Sequence, residues 1–150
     1  MSGIPPVVKS VELERPPKIA FEVFTESFGR WWPHLGHSVG EENVAEVVME
    51  ARPGGRLLER WKDGSEHVWG TIGAFEPPDR LVFSWDPSGR RAETEVEVTF
   101  TDTTSGGTYV ELTHRNWHVI GIEAEELRSS YDVGWPRVLA SFATFAEKEE

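Results

Sequence analysis

Two side chains in this sequence pair a titratable group with a setting that could give it chemistry, Glu59 and His114. Glu59 falls in Leu57-Leu58-Glu59-Arg60-Trp61, and alternation along a strand sets it on the side of Leu57 and Trp61. A carboxylate stripped of water is the raw material of a general acid or base. The plainer reading is an edge-strand glutamate near the mouth of a cavity, touching water or Arg56. His114 closes the run from Tyr109, where parity with Val110 and Leu112 turns it inward. A histidine so placed is a general base or a buried ring satisfied by one hydrogen bond, and both readings stay open.

Other constellations fall away. His34 and His37 are three apart but flank a Pro/Gly loop with no carboxylate in register, and His114 and His118 bracket a strand end without a third ligand. No metal site is expected. The chain has no cysteine, which excludes disulfides, thiol nucleophiles and thiolate sites. No Ser-His-Asp arrangement is readable. Gly54-Gly55 and Gly70-Thr71-Ile72-Gly73 lack the spacing and the following helix of a phosphate loop. No catalytic residue is assigned, and no cofactor is expected.

The elements that must position these groups are strands. Pro53 to Trp85 reads as three antiparallel strands, with Asp63-Gly64 as a type I′ hairpin turn and Pro77-Pro78 ending the second strand. Even loops at both turns would place Leu57, Glu59 and Trp61 on the face of Val68, Gly70 and Ile72. Ile72 would then lie opposite Phe83, and Gly70 opposite Trp85, leaving room for that ring. Trp69 falls on the other face, with Arg60, Thr71 and Ser84. Ala92 to Phe100 alternates cleanly, with Thr94, Val96, Val98 and Phe100 inward. An odd, Gly-rich loop at Ser105-Gly106-Gly107 brings Val110, Leu112 and His114 to the same side.

Around these lie a first strand over Val7–Leu13, a helix from Pro16-Pro17, a short helical piece over Phe28–Trp32, and a strand over Val44–Glu50. From Ile122 the pattern turns helical, with Leu127, Tyr131, Gly134, Val138, Phe142 and Phe145 recurring every three or four residues. Pro136 should bend or split that helix. An antiparallel sheet of six or seven strands with one amphipathic C-terminal helix buries its apolar face by curling round the helix, an α+β helix-grip arrangement with two short helices after strand 1. The space between is a natural apolar cavity. Its expected lining is Leu57, Glu59, Trp61, Val68, Ile72, Phe83, Trp85, Val98, Leu112, His114, Tyr131 and Trp135.

The 150 residues suit one domain over 1–150, and the seven Trp and eight Phe need somewhere to pack. A net charge of −11 opposes nucleic acid and anionic membrane as partners. The N-terminus has no apolar signal region and no run is long enough to span a membrane. A soluble cytoplasmic protein, monomer or weak homodimer, is expected.

Several motifs also carry a family likeness: Pro53-Gly54-Gly55-Arg56, Asp63-Gly64-Ser65-Glu66, Trp69-Gly70, Glu76-Pro77-Pro78 with Arg80-Leu81-Val82-Phe83 and Trp85, Leu112-Thr113-His114-Arg115, and Gly134-Trp135-Pro136. From about Val7 to Ala146 the chain resembles the START/SRPBCC superfamily, which includes the birch-pollen allergen fold. Within it, the chain looks like the bacterial branch related to the activator of the heat-shock chaperone ATPase. The resemblance implies a helix-grip fold with a deep hydrophobic cavity for small aromatic or lipid-like ligands. That superfamily spans carriers, polyketide cyclases and stress proteins without a shared catalytic motif, so only fold and pocket carry over. Binding of a small, planar hydrophobic ligand leads. A cyclase- or hydrolase-like enzyme using Glu59 or His114 is the alternative. A chaperone-regulating interaction protein is a third reading, which solvent-exposed aromatics on the convex sheet face, Trp69 especially, would favour.

Overall fold

Strict alternation in the second half of the chain sets the architecture. In β6 (Thr94–Asp102), Thr94, Val96, Val98 and Phe100 are buried while Glu95, Glu97 and Thr99 stay half-buried. In β7 (Thr108–Arg115) the same pattern buries Val110, Leu112 and His114. The two pair antiparallel with Val96 opposite His114 and Val98 opposite Leu112 across an odd loop, as the patterns require. The remaining strands are β1 (Val7–Leu13), β2 (Val44–Met49), β3 (Arg56–Trp61), β4 (Glu66–Glu76) and β5 (Arg80–Trp85). They complete a curved seven-stranded antiparallel sheet in the order β1-β7-β6-β5-β4-β3-β2. The computed structural model describes residues 4–33, 41–87 and 91–148. The loop histidines His34 and His37 and the Gly-rich stretch to Gly40 lie outside these.

Among the described residues, three helices close one face of the sheet. α1 (Pro17–Thr25) starts with proline at its first position, where no N–H is needed, and buries Ala20, Phe21, Val23 and Phe24. α2 (Phe28–Trp31) follows, held by the Trp31 indole donating to the Val23 carbonyl at 3.0 Å. The long α3 (Ala124–Lys148) lies along the concave side and buries Trp135, Val138, Leu139 and Phe142. Phe142 meets Phe24 and Trp31 at centroid distances of 5.1 and 5.2 Å. Pro136 does not split α3, which runs unbroken through it. No helix among the described residues is long and apolar enough to cross a membrane.

The β3–β4–β5 register departs from the sequence reading at two points. The Asp63-Gly64 turn is not type I′, since only Gly64 has a positive φ, of 91°. Asp63 Oδ1 instead accepts from the Ser65 N–H and hydroxyl, at 2.9 and 2.6 Å. Glu59 consequently faces His67, not Val68. β4 then carries two extra residues. Leu57 and Leu58 pair with Gly70 and Val68, skipping Trp69, and Ile72 and Ala74 pair with Phe83 and Val82, skipping Gly73. The first bulge returns Gly70 and Ile72 to the concave face. The second, with a three-residue Pro77–Asp79 turn, keeps Ile72 opposite Phe83 as expected.

Two side chains trade places as a result. Val68 is 47% exposed on the convex face, and Trp69 is 1% exposed in the core. Gly70 is glycine for a different reason from the one expected. A Cβ there would lie 1.8 Å from the Ser84 carbonyl oxygen, so it is a neighbouring backbone, not the Trp85 ring, that needs the room.

Candidate functional site

The concave face gathers the aromatic side chains into one continuous wall. Trp32 of the α2 end lies 5.0 Å from Trp69, Trp69 lies 5.5 Å from Trp85, and Trp85 lies 5.3 Å from Trp135 of α3. Trp135 stacks on Tyr131 one helical turn earlier, at 5.7 Å and 27°. Leu57, Ile72, Phe83, Val98 and Leu112 are buried in the same core, and Trp61 and Tyr131 pack partly buried against it.

Glu59 anchors one end of this wall. It is fully buried, its Oε1 accepts the Trp69 indole N–H at 2.9 Å, and its Oε2 accepts that of Trp61 at 2.6 Å. Trp61 stacks on His67 at 3.8 Å, which closes the hairpin end over the carboxylate. The sequence placed Glu59 correctly on the inner face, but its partners are two indoles rather than Arg56. The Arg56 guanidinium is on the convex side, bridging Glu50 and Glu66.

His114 anchors the other end. Its Nδ1 lies 3.0 Å from the Trp135 Nε1, which can only donate, so Nδ1 is the unprotonated acceptor. Nε2 therefore carries the hydrogen and donates to Thr94 Oγ1 at 2.7 Å, and the Thr94 hydroxyl donates onward to the Trp85 carbonyl at 3.0 Å. Burial pushes the imidazole down to about 3, so the ring is neutral at physiological pH. Protonating it would set an N–H against the indole N–H of Trp135. Trp117, in the 3₁₀ turn Trp117–Ile120, donates to the His114 carbonyl at 2.9 Å and packs on the ring at 4.1 Å.

These two groups do not form an acid–base pair. Glu59 is on β3 and His114 on β7, with three strands between, and the line of contacts joining them runs through Trp69 and Trp85. Both oxygens of one and both nitrogens of the other bond to neighbouring side chains. Among the described residues no group of three or more His, Asp or Glu is placed to hold a metal ion.

Where the wall meets solvent, Trp85 donates its indole N–H to the Tyr131 hydroxyl at 2.8 Å. Beside this pair is a cavity of about 20 Å³ lined by Trp85, Asp86, Pro87, Ala92, Thr94, Ile120, Leu127 and Tyr131. A larger groove of about 670 Å³ runs between the start of α1 and the β4–β5 turn, bounded by Lys18, Glu76, Asp79 and Arg80, away from the tryptophans. The small cavity is where the chemistry converges, because it touches both the aromatic wall, at Trp85 and Tyr131, and the His114–Thr94 chain, at Thr94. Thr94, Trp69, Ile120 and Leu127 were missed as site residues. Strand parity had already turned Thr94 inward. Trp69 was hidden by a bulge that no local residue type announces.

Residues 14–147 match the profile of the family described as Activator of Hsp90 ATPase homolog 1-like protein. Among solved structures, Txn09, an anthrahydroquino-gamma-pyrone synthase complexed with SUM, is 36% identical, covers 94% of this chain and 96% of its own, and superposes with a TM-score of 0.64. CalC, a self-sacrificing resistance protein from Micromonospora echinospora, is 30% identical over 96% of this chain and 95% of its own, with a TM-score of 0.71. MLL2253 from Mesorhizobium loti is 19% identical over 97% and 98%, with a TM-score of 0.69, a likeness of fold. No curated protein matches the chain.

Proposed function

The chain belongs to the family of Activator of Hsp90 ATPase homolog 1-like proteins, within the START/SRPBCC superfamily, and from that premise we propose that it binds a planar aromatic small molecule against its tryptophan wall. The carrying observation is the run of rings from Trp69 through Trp85 and Trp135 to Tyr131, which reaches solvent at the Trp85–Tyr131 hydrogen bond. Flat indole faces and a few fixed polar atoms are what a fused-ring ligand needs. The 36% identity to a synthase named for an anthrahydroquinone-pyrone supports ligands of that class.

The test is tryptophan fluorescence titration with flat hydroxylated polycycles. Saturable quenching at micromolar concentration is expected. Trp85→Ala should weaken binding about two- to tenfold, the worth of one stacked ring. Val68→Ala, on the convex face, should leave it unchanged. No saturable quenching across a broad panel, or equal effects from both substitutions, would sink the reading.

The same likeness to a synthase favours a second reading, a cyclase-like catalyst that folds a substrate along the wall. In that reading neither Glu59 nor His114 serves as the free base, since indole and hydroxyl partners hold both. The chaperone-regulating reading loses its chief expected feature, because Trp69 is buried; Tyr109 is the exposed convex-face aromatic among the described residues.

A further inference from the structure

Tyr131 stands where a ligand ring would stand. Its half-buried phenol is boxed by Trp85, Trp117, Trp135 and His114, with centroids 6.3, 5.8, 5.7 and 4.9 Å away. Five other indoles donate to rigid acceptors: Trp31 and Trp117 to backbone carbonyls, Trp61 and Trp69 to Glu59, Trp135 to His114. Trp85 donates to the phenol.

Three features let that ring leave. The cavity of about 20 Å³ lies directly against it. Its side chain is only partly buried. Its stretch of α3 lacks one hydrogen bond, because Pro136 has no N–H to give the Asp132 carbonyl.

We propose that Tyr131 is a displaceable internal stand-in for the ligand, and that the ligand is a planar arene bearing an oxygen, phenolic or quinonoid, that takes over the Trp85 indole N–H. The proposal rests on the aromatic-ligand reading and adds to it the ligand's anchoring atom and the residue that must move. An unsubstituted arene would stack equally well but strand the N–H, which is the costly outcome for a buried donor.

The chain has two tyrosines, and Tyr109 on the convex face of β7 is a built-in control. In fluorotyrosine-labelled protein, saturating naphthol should move the Tyr131 resonance toward its solvent-exposed position and leave that of Tyr109 in place. Naphthol should bind about three- to tenfold tighter than naphthalene, and Trp85→Phe should erase that difference. Tyr131→Ala, with its fold checked by circular dichroism, should bind naphthol tighter than the wild type, since nothing has to leave. Saturable quenching by naphthol with an unmoved Tyr131 resonance would overturn the stand-in and leave the aromatic-ligand reading intact. Binding to Tyr131→Ala but not to the wild type would overturn displacement, because the slot would then be permanently filled. Binding to neither would overturn both.

Discussion

At Glu59 a carboxyl group sits in the core with an indole N–H on each oxygen. The two bonds satisfy both oxygens of a buried polar group. Two acceptors are needed, and glutamine supplies only one. Its amide nitrogen would meet an indole N–H donor to donor. Glu59→Gln should therefore cost about 1–3 kcal/mol in chemical denaturation, the penalty for stranding a buried donor. An unchanged midpoint would mean the indoles find other acceptors and the carboxylate is not what orders the hairpin end. That Glu59 faces inward was legible from alternation alone. Its partners were not, because Trp69 reaches it only through a bulge. For His114 the inward direction was likewise readable, whereas Thr94 and Trp135 come from a diagonal position on β6 and from a helix far along the chain.

At the scale of elements, β4 is where simple parity broke down and where it was repaired. Its two bulges add one residue each, so Ile72 still meets Phe83 although both flanking turns have odd length. The predicted strands β1, β6 and β7, which have no such irregularity, were read correctly to within a residue or two. Bulges depend on how twisted neighbours meet, which hydrophobic patterning does not encode. The two glycines of β4 separate the effects. Gly70→Ala drives a Cβ to 1.8 Å from the Ser84 carbonyl, a backbone atom that cannot swing aside. Gly73→Ala meets only the Val82 carbonyl, at an ordinary 3.9 Å. The first should cost at least about 1–3 kcal/mol, as overpacking does, and the second should stay within about 0.5 kcal/mol. Thermal or urea unfolding of the pair checks this, and similar losses at both sites would mean that the β4–β5 spacing is not set by the close approach at Gly70.

The whole molecule couples a dry aromatic interior to a charged convex face, and acid should dismantle them in that order. On the convex face Arg56 holds Glu50 down to about 2, while Arg60 and Arg56 lower Glu66, and Arg115 and Arg80 lower Glu97. Carboxylates lowered on folding stabilise the protein above their ordinary range near 4.5, and that contribution is lost as pH falls through the folded values. His114 acts earlier. The unfolded chain takes up its proton near 6.5 and the folded one only near 3, so the unfolded state binds more protons throughout that window. Stability therefore falls as pH drops from 6.5 to 3, by roughly 4–5 kcal/mol from this group, and is flat with respect to it above 6.5. Salt distinguishes the two. Burial causes the His114 shift, which screening barely touches, whereas the carboxylate pairs are exposed and weaken within a Debye length. In denaturation series from pH 7 to 3, the wild type should lose stability already between pH 6.5 and 4.5, equally at low and high salt. The steeper decline below 4.5 should be the salt-sensitive part. His114→Gln, less stable at neutral pH for want of its two hydrogen bonds, should show a flatter profile between 6.5 and 4.5, with about one proton less taken up on unfolding. Parallel profiles for the two proteins would mean that His114 is charged in the folded state, and that the Trp135 indole does not donate to its Nδ1.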